Sequence, residues 1–206
     1  MSELNNKLAD KFNPSAWSGW KAWKHYKHTG FNLIEEVNAL DPDLVIDVGC
    51  GHNRFKGHIK NIIGFDQEPF PFVDIVSNIE DINFRKESAD VVLALGSVQF
   101  GDRDLVRKHF AKVVDWVKPG GYIVMRTMKD SVTPYHHQQA HYIWTDEDIV
   151  DIGNEHNLEI VKGPFVENVL DAFNEVRSTR MAWWYKKPGE LTKYKIDPYN
   201  CEIKQR

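Results

Sequence analysis

The chain has 206 residues, 42% of them hydrophobic and 27% charged, with a net charge of −4 and a pI near 6.1; that is enough for one domain with its own core. No apolar run reaches the roughly 18 residues that cross a bilayer, the polar Met1–Asp10 start lacks the apolar stretch of a secretory signal, and two cysteines, Cys50 and Cys201, are too few for a disulfide scaffold or a four-thiolate zinc site. The acidic balance makes nucleic acid an unfavoured partner, and the cysteine usage leads to the expectation of a reducing, cytoplasmic setting.

Residues 1–12 read as a frayed start. Trp17, Trp20, Trp23 and Tyr26 then recur every three residues among Lys21, Lys24 and Lys27. That spacing suits a helix with its aromatic stripe packed on the body and its lysines in water. The same interleaving can stack bases and hold phosphates, but packing is the reading preferred. Gly19 and Gly30 divide the segment into short helices. Phe31, Ile34, Val37 and Leu40 keep helical spacing until Asp41-Pro42 stops it.

Five short apolar runs follow, bounded by turn residues: Leu44–Val48, Asn61–Phe65, Val73–Ser77, Val91–Leu95 and Tyr122–Arg126. They read as buried parallel strands. Between the last two, Asp102–Val117 carries an apolar helical face of Leu105, Val106, His109, Phe110, Val113, Val114 and Val117, broken by Pro119-Gly120-Gly121. Thr145 and the acids after it start another helix. Leu158–Val166 and Arg180–Tyr185 read as an antiparallel pair at one sheet edge, and Lys187–Arg206 as a polar tail without a period. Strands alternating with helices predict a mostly parallel sheet covered on both faces, with ligands at the carboxyl ends of its strands. One domain is expected: a helical cap over residues 1–40, an α/β core over 41–187 and a tail over 188–206.

The strongest signal is Asp47-Val48-Gly49-Cys50-Gly51, directly after the first strand. Its glycines allow a tight turn and a close approach to a ligand. Asp66 ends the second strand nineteen residues after Asp47, where an acid can accept both hydroxyls of a ribose. The third glycine of the dinucleotide fingerprint is absent, since His52-Asn53-Arg54 follows. Only about ten residues separate Gly51 from the second strand, room for a helix of a turn or two. Both points count against a dinucleotide.

Val45–Gly51 resembles motif I of the class I S-adenosylmethionine-dependent methyltransferases, of the small-molecule, methyltransferase-11 type. Gly64-Phe65-Asp66, Asn78–Phe84, Ala89–Gly96 and Val117–Tyr122 are similar to that family's later motifs, in order and spacing. The resemblance implies a Rossmann-like, seven-stranded, mostly parallel sheet with an antiparallel last strand. It also implies S-adenosyl-L-methionine as cofactor. Asp47, Gly49, Cys50 and Gly51 would hold the methionine moiety. Asp66 would take the ribose hydroxyls, with Gln67 beside the adenosine. Asn78 and Ile79 would meet adenine, and Leu95 and Gly96 would line the methyl-donor cavity. Asn78 departs from the family's usual Asp, and Arg54 is a candidate aid to the methionine carboxylate.

Catalytic candidates lie beyond the fourth and fifth strands: Gln99, His136 and His137, with His141 nearby. Histidine titrates near neutrality and is the natural base for a neutral acceptor. His137 and His141 stand at i, i+4, but no third metal ligand is placed by spacing, so no metal is expected. The expected acceptor is a small molecule. An RNA or protein acceptor, or a binding module without turnover, are the alternatives.

Overall fold

The computed structural model describes residues 30, 32–129, 141–170, 176–193 and 201–203. The Trp/Lys stripe at 17–27 and the candidates His136 and His137 lie outside them. The described elements are α1 (Leu33–Ala39), β1 (Val45–Val48), β2 (Ile62–Asp66), β3 (Ile75–Val76), β4 (Ile82–Phe84), β5 (Ala89–Leu95), α2 (Arg103–Trp116), β6 (Val117–Met128), α3 (Asp146–Glu155), β7 (Glu159–Leu170), β8 (Val176–Lys186) and β9 (Cys201–Ile203).

Seven strands form one sheet in the order β3-β2-β1-β5-β6-β8-β7. Neighbours from β3 through β6 pair in parallel, and β8 runs antiparallel to both β6 and β7. This is the expected mostly parallel sheet with its last strand reversed, and the edge pair of β7 and β8 is as expected. The order doubles back between β2 and β5, which makes the carboxyl ends of β1, β2 and β5 the switch point where such sheets bind ligands.

Side chains alternate across the sheet, so each strand feeds two cores. Val45, Val91, Leu93, Val124 and Trp184 pack beneath Leu33 and Val37 of α1. Ile46, Val92, Ala94, Ile123, Met125 and Trp183 face the other way, onto Val106, Phe110 and Val113 of α2 and Ile149 and Ile152 of α3. Both larger helices start where their caps dictate. Asp102 accepts a hydrogen bond from the Leu105 N–H at 2.9 Å, and Thr145 with Asp148 forms a reciprocal capping box. The Tyr185 hydroxyl donates to the Ile149 carbonyl at 2.6 Å and ties α3 to β8.

A buried ion pair fixes the other end of the sheet. Lys118, 1% exposed, places its Nζ 3.1 Å from Asp90 Oδ1, while Asp90 Oδ2 accepts from the Asp43 and Leu44 N–H groups. These bonds join the start of β1 to β5 and β6.

Two expectations are corrected. The tail is not without structure: Cys201–Ile203 pairs antiparallel with Ile82–Phe84, a strand missed because three residues show no periodicity. No helix follows the glycine loop; residues 51–61 form turns. The cause lies in Asn53, which sits at φ +48 and donates through Nδ2 to the Phe72 carbonyl and to Asp74 Oδ2, both at 2.8 Å. Asp74 also accepts from the Gly64 N–H and pairs with Lys56. A turn tied this tightly to the approach to β3 has no length left for a helix.

Candidate active site

A cleft of about 700 Å3 opens at the carboxyl ends of β1, β2 and β5. Gly49, Asp66, Gln67, Asn78, Ile79 and Gly96, all expected at the site, line it together with Val48, Phe65 and Ser77. Asp47, Cys50, Gly51 and Leu95 stand behind or beside this lining.

Asp66 is held by backbone on two sides. Its Oδ2 accepts from the Gly51 N–H at 2.8 Å and its Oδ1 from the Glu68 N–H at 3.0 Å. The first bond links the glycine loop to the end of β2, so loop and acid are one unit. Each oxygen keeps a lone pair for a further donor. Gly49 adopts φ +64, and a Cβ on it would lie 2.6 Å from the Ser97 Cβ. Only glycine lets the two strand-end turns meet this closely. Asn78 donates to Asp81 Oδ2 at 3.2 Å, which leaves its amide oxygen as the acceptor.

Asp47, the last residue but one of β1, faces the α1 side and is 4% exposed. Burial first, and the neighbouring Asp66 carboxylate second, push its pKa up to about 8. At neutral pH this acid keeps its proton until a cation comes near. The Cys50 thiol is also pushed up, by burial and then by Asp47, Asp66 and Asp74. It is therefore a poor nucleophile. Arg54 is half-buried, and burial lowers its pKa.

Gln99, a catalytic candidate by position, is engaged at both ends of its amide. It is 4% exposed; its Nε2 donates to the Gly96 carbonyl at 3.1 Å and its Oε1 accepts from the Met128 N–H at 2.7 Å. Both ends of its amide are used to tie the turn after β5 to the end of β6. His141 bridges Phe100 in backbone pairing and packs its ring 4.7 Å from the Phe100 ring.

The cleft also contains residues the sequence did not single out. Phe70 lines it and stacks on His52 with ring centroids 4.8 Å apart. His109 lines it from α2, its Nε2 3.8 Å from Glu80 Oε1, with its pKa lowered chiefly by burial. The signal was present, since His109 is a titratable residue on an otherwise apolar stripe, but helical periodicity assigns that stripe to the core.

Residues 46–125 match the family model described as methyltransferase domain. No curated protein matches the chain by sequence. Among solved structures, the chain is similar to the Burkholderia thailandensis 1,6-didemethyltoxoflavin-N1-methyltransferase with bound 1,6-didemethyltoxoflavin and S-adenosylhomocysteine. That similarity has 14% identity and a TM-score of 0.60, over 91% of this chain and 90% of that one. The N-methyltransferase NodS from Bradyrhizobium japonicum, in complex with S-adenosylhomocysteine, aligns at 13% identity and TM-score 0.57, over 77% and 86%. The putative methyltransferase complex with the Haloferax volcanii Trm112 methyltransferase activator aligns at 14% and 0.60, over 89% and 99%. At these identities the solved structures speak for the fold, and the family model speaks for the segment it covers. Strand order, glycine loop and matched segment agree: residues 46–125 are similar to a methyltransferase domain, and the chain shares the fold of these class I, S-adenosylmethionine-dependent methyltransferase structures.

Proposed function

We propose that the chain is an enzyme that transfers a methyl group from S-adenosylmethionine to a small-molecule acceptor. The observation that carries this reading is the gathering of Gly49, Asp66, Asn78, Ile79 and Gly96 on one cleft of about 700 Å3, a volume within the range of ligand sites.

The residues present fit the cofactor. Asp66, pinned by the Gly51 and Glu68 amides, offers a carboxylate to two ribose hydroxyls. Ile79, Val48 and Phe65 supply apolar surface for adenine, and the Asn78 oxygen an acceptor for its amine. The missing Cβ at Gly49 leaves space for the methionine chain. Asp47, protonated when alone, ionises against an incoming ammonium. Leu95 and Gly96 flank the methyl end.

When bound, the sulfonium supplies the activated methyl; the protein's part is position and field. Where the acceptor must lose a proton, His136 or His137 is the proposed base, because the Gln99 amide is already engaged. A small-molecule acceptor agrees with the acceptor printed for the toxoflavin-type neighbour. The single-domain arrangement and a cytoplasmic setting belong to the same reading. No described helix is long and apolar enough to cross a membrane.

Calorimetric titration of S-adenosylmethionine into wild type and Asp66→Ala tests the seat. Loss of a charged acceptor worth roughly 1.5–3 kcal/mol predicts binding more than tenfold weaker. A change below twofold refutes the assignment. A turnover assay on a metabolite panel separates an enzyme from a binding module.

A further inference from the structure

On the α1 face of the sheet, two arginines stand at the carboxyl ends of the strands beyond Leu95. Arg126 lies in register with Leu95 on β5, and Arg180 lies opposite Met128, two positions further along β6. They share a neighbour, Glu167 on β7, which is paired in register with Arg180. Glu167 is spent on Arg126, with 2.9 Å between Oε2 and Nε.

Among the described residues the charges on this face do not balance. Lys162 is neutralised by Glu36, its Nζ 2.6 and 2.8 Å from the two carboxylate oxygens, and it lies over the Trp184 ring. Arg126 has Glu167. Among the described residues no carboxylate pairs with Arg180. Burial, and then the Arg126 charge, oppose its ionisation.

The hydrogen-bond inventory agrees. Arg126 is 9% exposed, yet among the described residues its Nη2 has no hydrogen-bond partner, and neither does the buried Nη1 of Arg180. Folded proteins rarely leave buried guanidinium nitrogens unbonded without a use for them. A small cavity of about 20 Å3 lies beside Arg126, bounded also by Leu95, Glu167, Ala182 and Trp184, and Arg180 precedes Ala182 by two positions on the same face of β8. The cavity has room for about one water, so an incoming group would enter by its tip. Guanidinium groups offer paired N–H donors that match the two oxygens of a carboxylate or phosphate.

We propose that Arg126 and Arg180 bind an oxyanion, a carboxylate or phosphate, carried by the methyl acceptor, so that the preferred acceptors are anionic. The proposal rests on the methyltransferase reading only in naming the ligand the acceptor; the anion site itself is independent of it. Leu95 connects the two, since it stands beside Gly96 at the cleft and across from Arg126.

The test uses the full chain saturated with S-adenosylhomocysteine, titrated with benzoate, inorganic phosphate and neutral benzamide, followed by calorimetry or NMR. At least one anion is expected to bind tenfold or more tightly than benzamide, and the anion that does so identifies the chemistry. Arg180→Gln should weaken that binding at least tenfold, with Arg180→Lys intermediate and serving as the second variant if the first fails to fold. Lys162→Gln should leave it within twofold, since Lys162 already has its counter-ion. Affinity for S-adenosylhomocysteine should stay within twofold in Arg180→Lys and Arg180→Gln. Equal binding of benzamide and both anions overturns the proposal, as does an Arg180→Gln variant that binds anions like wild type. A tenfold loss of S-adenosylhomocysteine affinity on changing Arg180 also overturns it, because the arginines would then serve the cofactor's own carboxylate. Should the wild type not bind S-adenosylhomocysteine at all, the function reading fails; the same anion titrations on the free protein then decide the arginine site alone.

Discussion

Replacing Asp47 by Asn should make the protein more stable at neutral pH, although Asp47 lies in the loop motif that first pointed to function. The acid's pKa rises from an ordinary 3.8 to about 8 in the folded chain, through burial and the nearby Asp66. Below pH 4 the proton is bound in both states and the residue contributes nothing to pH dependence. Between pH 4 and 8 the unfolded chain has released the proton while the folded chain keeps it. Stability therefore falls with rising pH, by up to ~1.4 kcal/mol per pH unit, and levels off above pH 8. The full penalty has an upper bound of ~6 kcal/mol, of which ~4 has accrued by pH 7. Water entry and relaxation reduce such figures, so about 2 kcal/mol or more is the expected gain for Asp47→Asn at pH 7. Urea unfolding of both proteins at pH 5, 6, 7 and 8 measures it. The two should converge toward pH 5 and diverge as pH rises; parallel curves would refute the buried, proton-holding acid. The same acid should release close to one proton when S-adenosylmethionine binds at pH 7, and Asp47→Asn should release none. Calorimetry in two buffers of different ionisation enthalpy counts that proton.

Other expectations concern the supports of the site. Asp90→Ala removes the nearer carboxylate of Lys118, leaving it the 3.7 Å contact to Asp43, and takes the acceptor from two backbone N–H groups, so a loss of roughly 3–5 kcal/mol is expected in chemical denaturation. Gly49→Ala introduces a Cβ 2.6 Å from the Ser97 Cβ at φ +64; overlap and left-handed strain together should cost about 2 kcal/mol or more. Adding Ser97→Gly should recover the overlap part alone, as read by thermal unfolding. Gln99→Leu removes the bonds to Gly96 and Met128 and should destabilise by about 1–3 kcal/mol. If it abolishes turnover while leaving the melting temperature unchanged, Gln99 acts in the chemistry and not as a brace.

Much of the framework was legible in the chain. Val45–Val48, Ile62–Asp66 and Ala89–Leu95 declare themselves because strands buried on both faces must be continuously apolar. The starts of α2 and α3 are written in Asp102 and Thr145, since capping is a local interaction. The glycine loop and Asp66 are visible because each answers a local demand: a positive φ, or an acid at a strand end. What tertiary structure alone decided involves partners far apart in sequence. The helix after Gly51 is lost to Asn53 and Asp74, twenty-one residues apart. The Ile82–Phe84 strand exists through a tail more than a hundred residues away. Gln99, a candidate for chemistry by position, is engaged by the Met128 amide, and His109 reaches the cleft from a stripe that reads as core. The charge balance around Arg180 belongs to the same class, since it depends on which carboxylates β7 and α1 deliver to that face. Local chemistry sets the elements and the turn that meets a ligand; whether a polar side chain is spent or left for one depends on distant residues that only the packed sheet brings within hydrogen-bond reach.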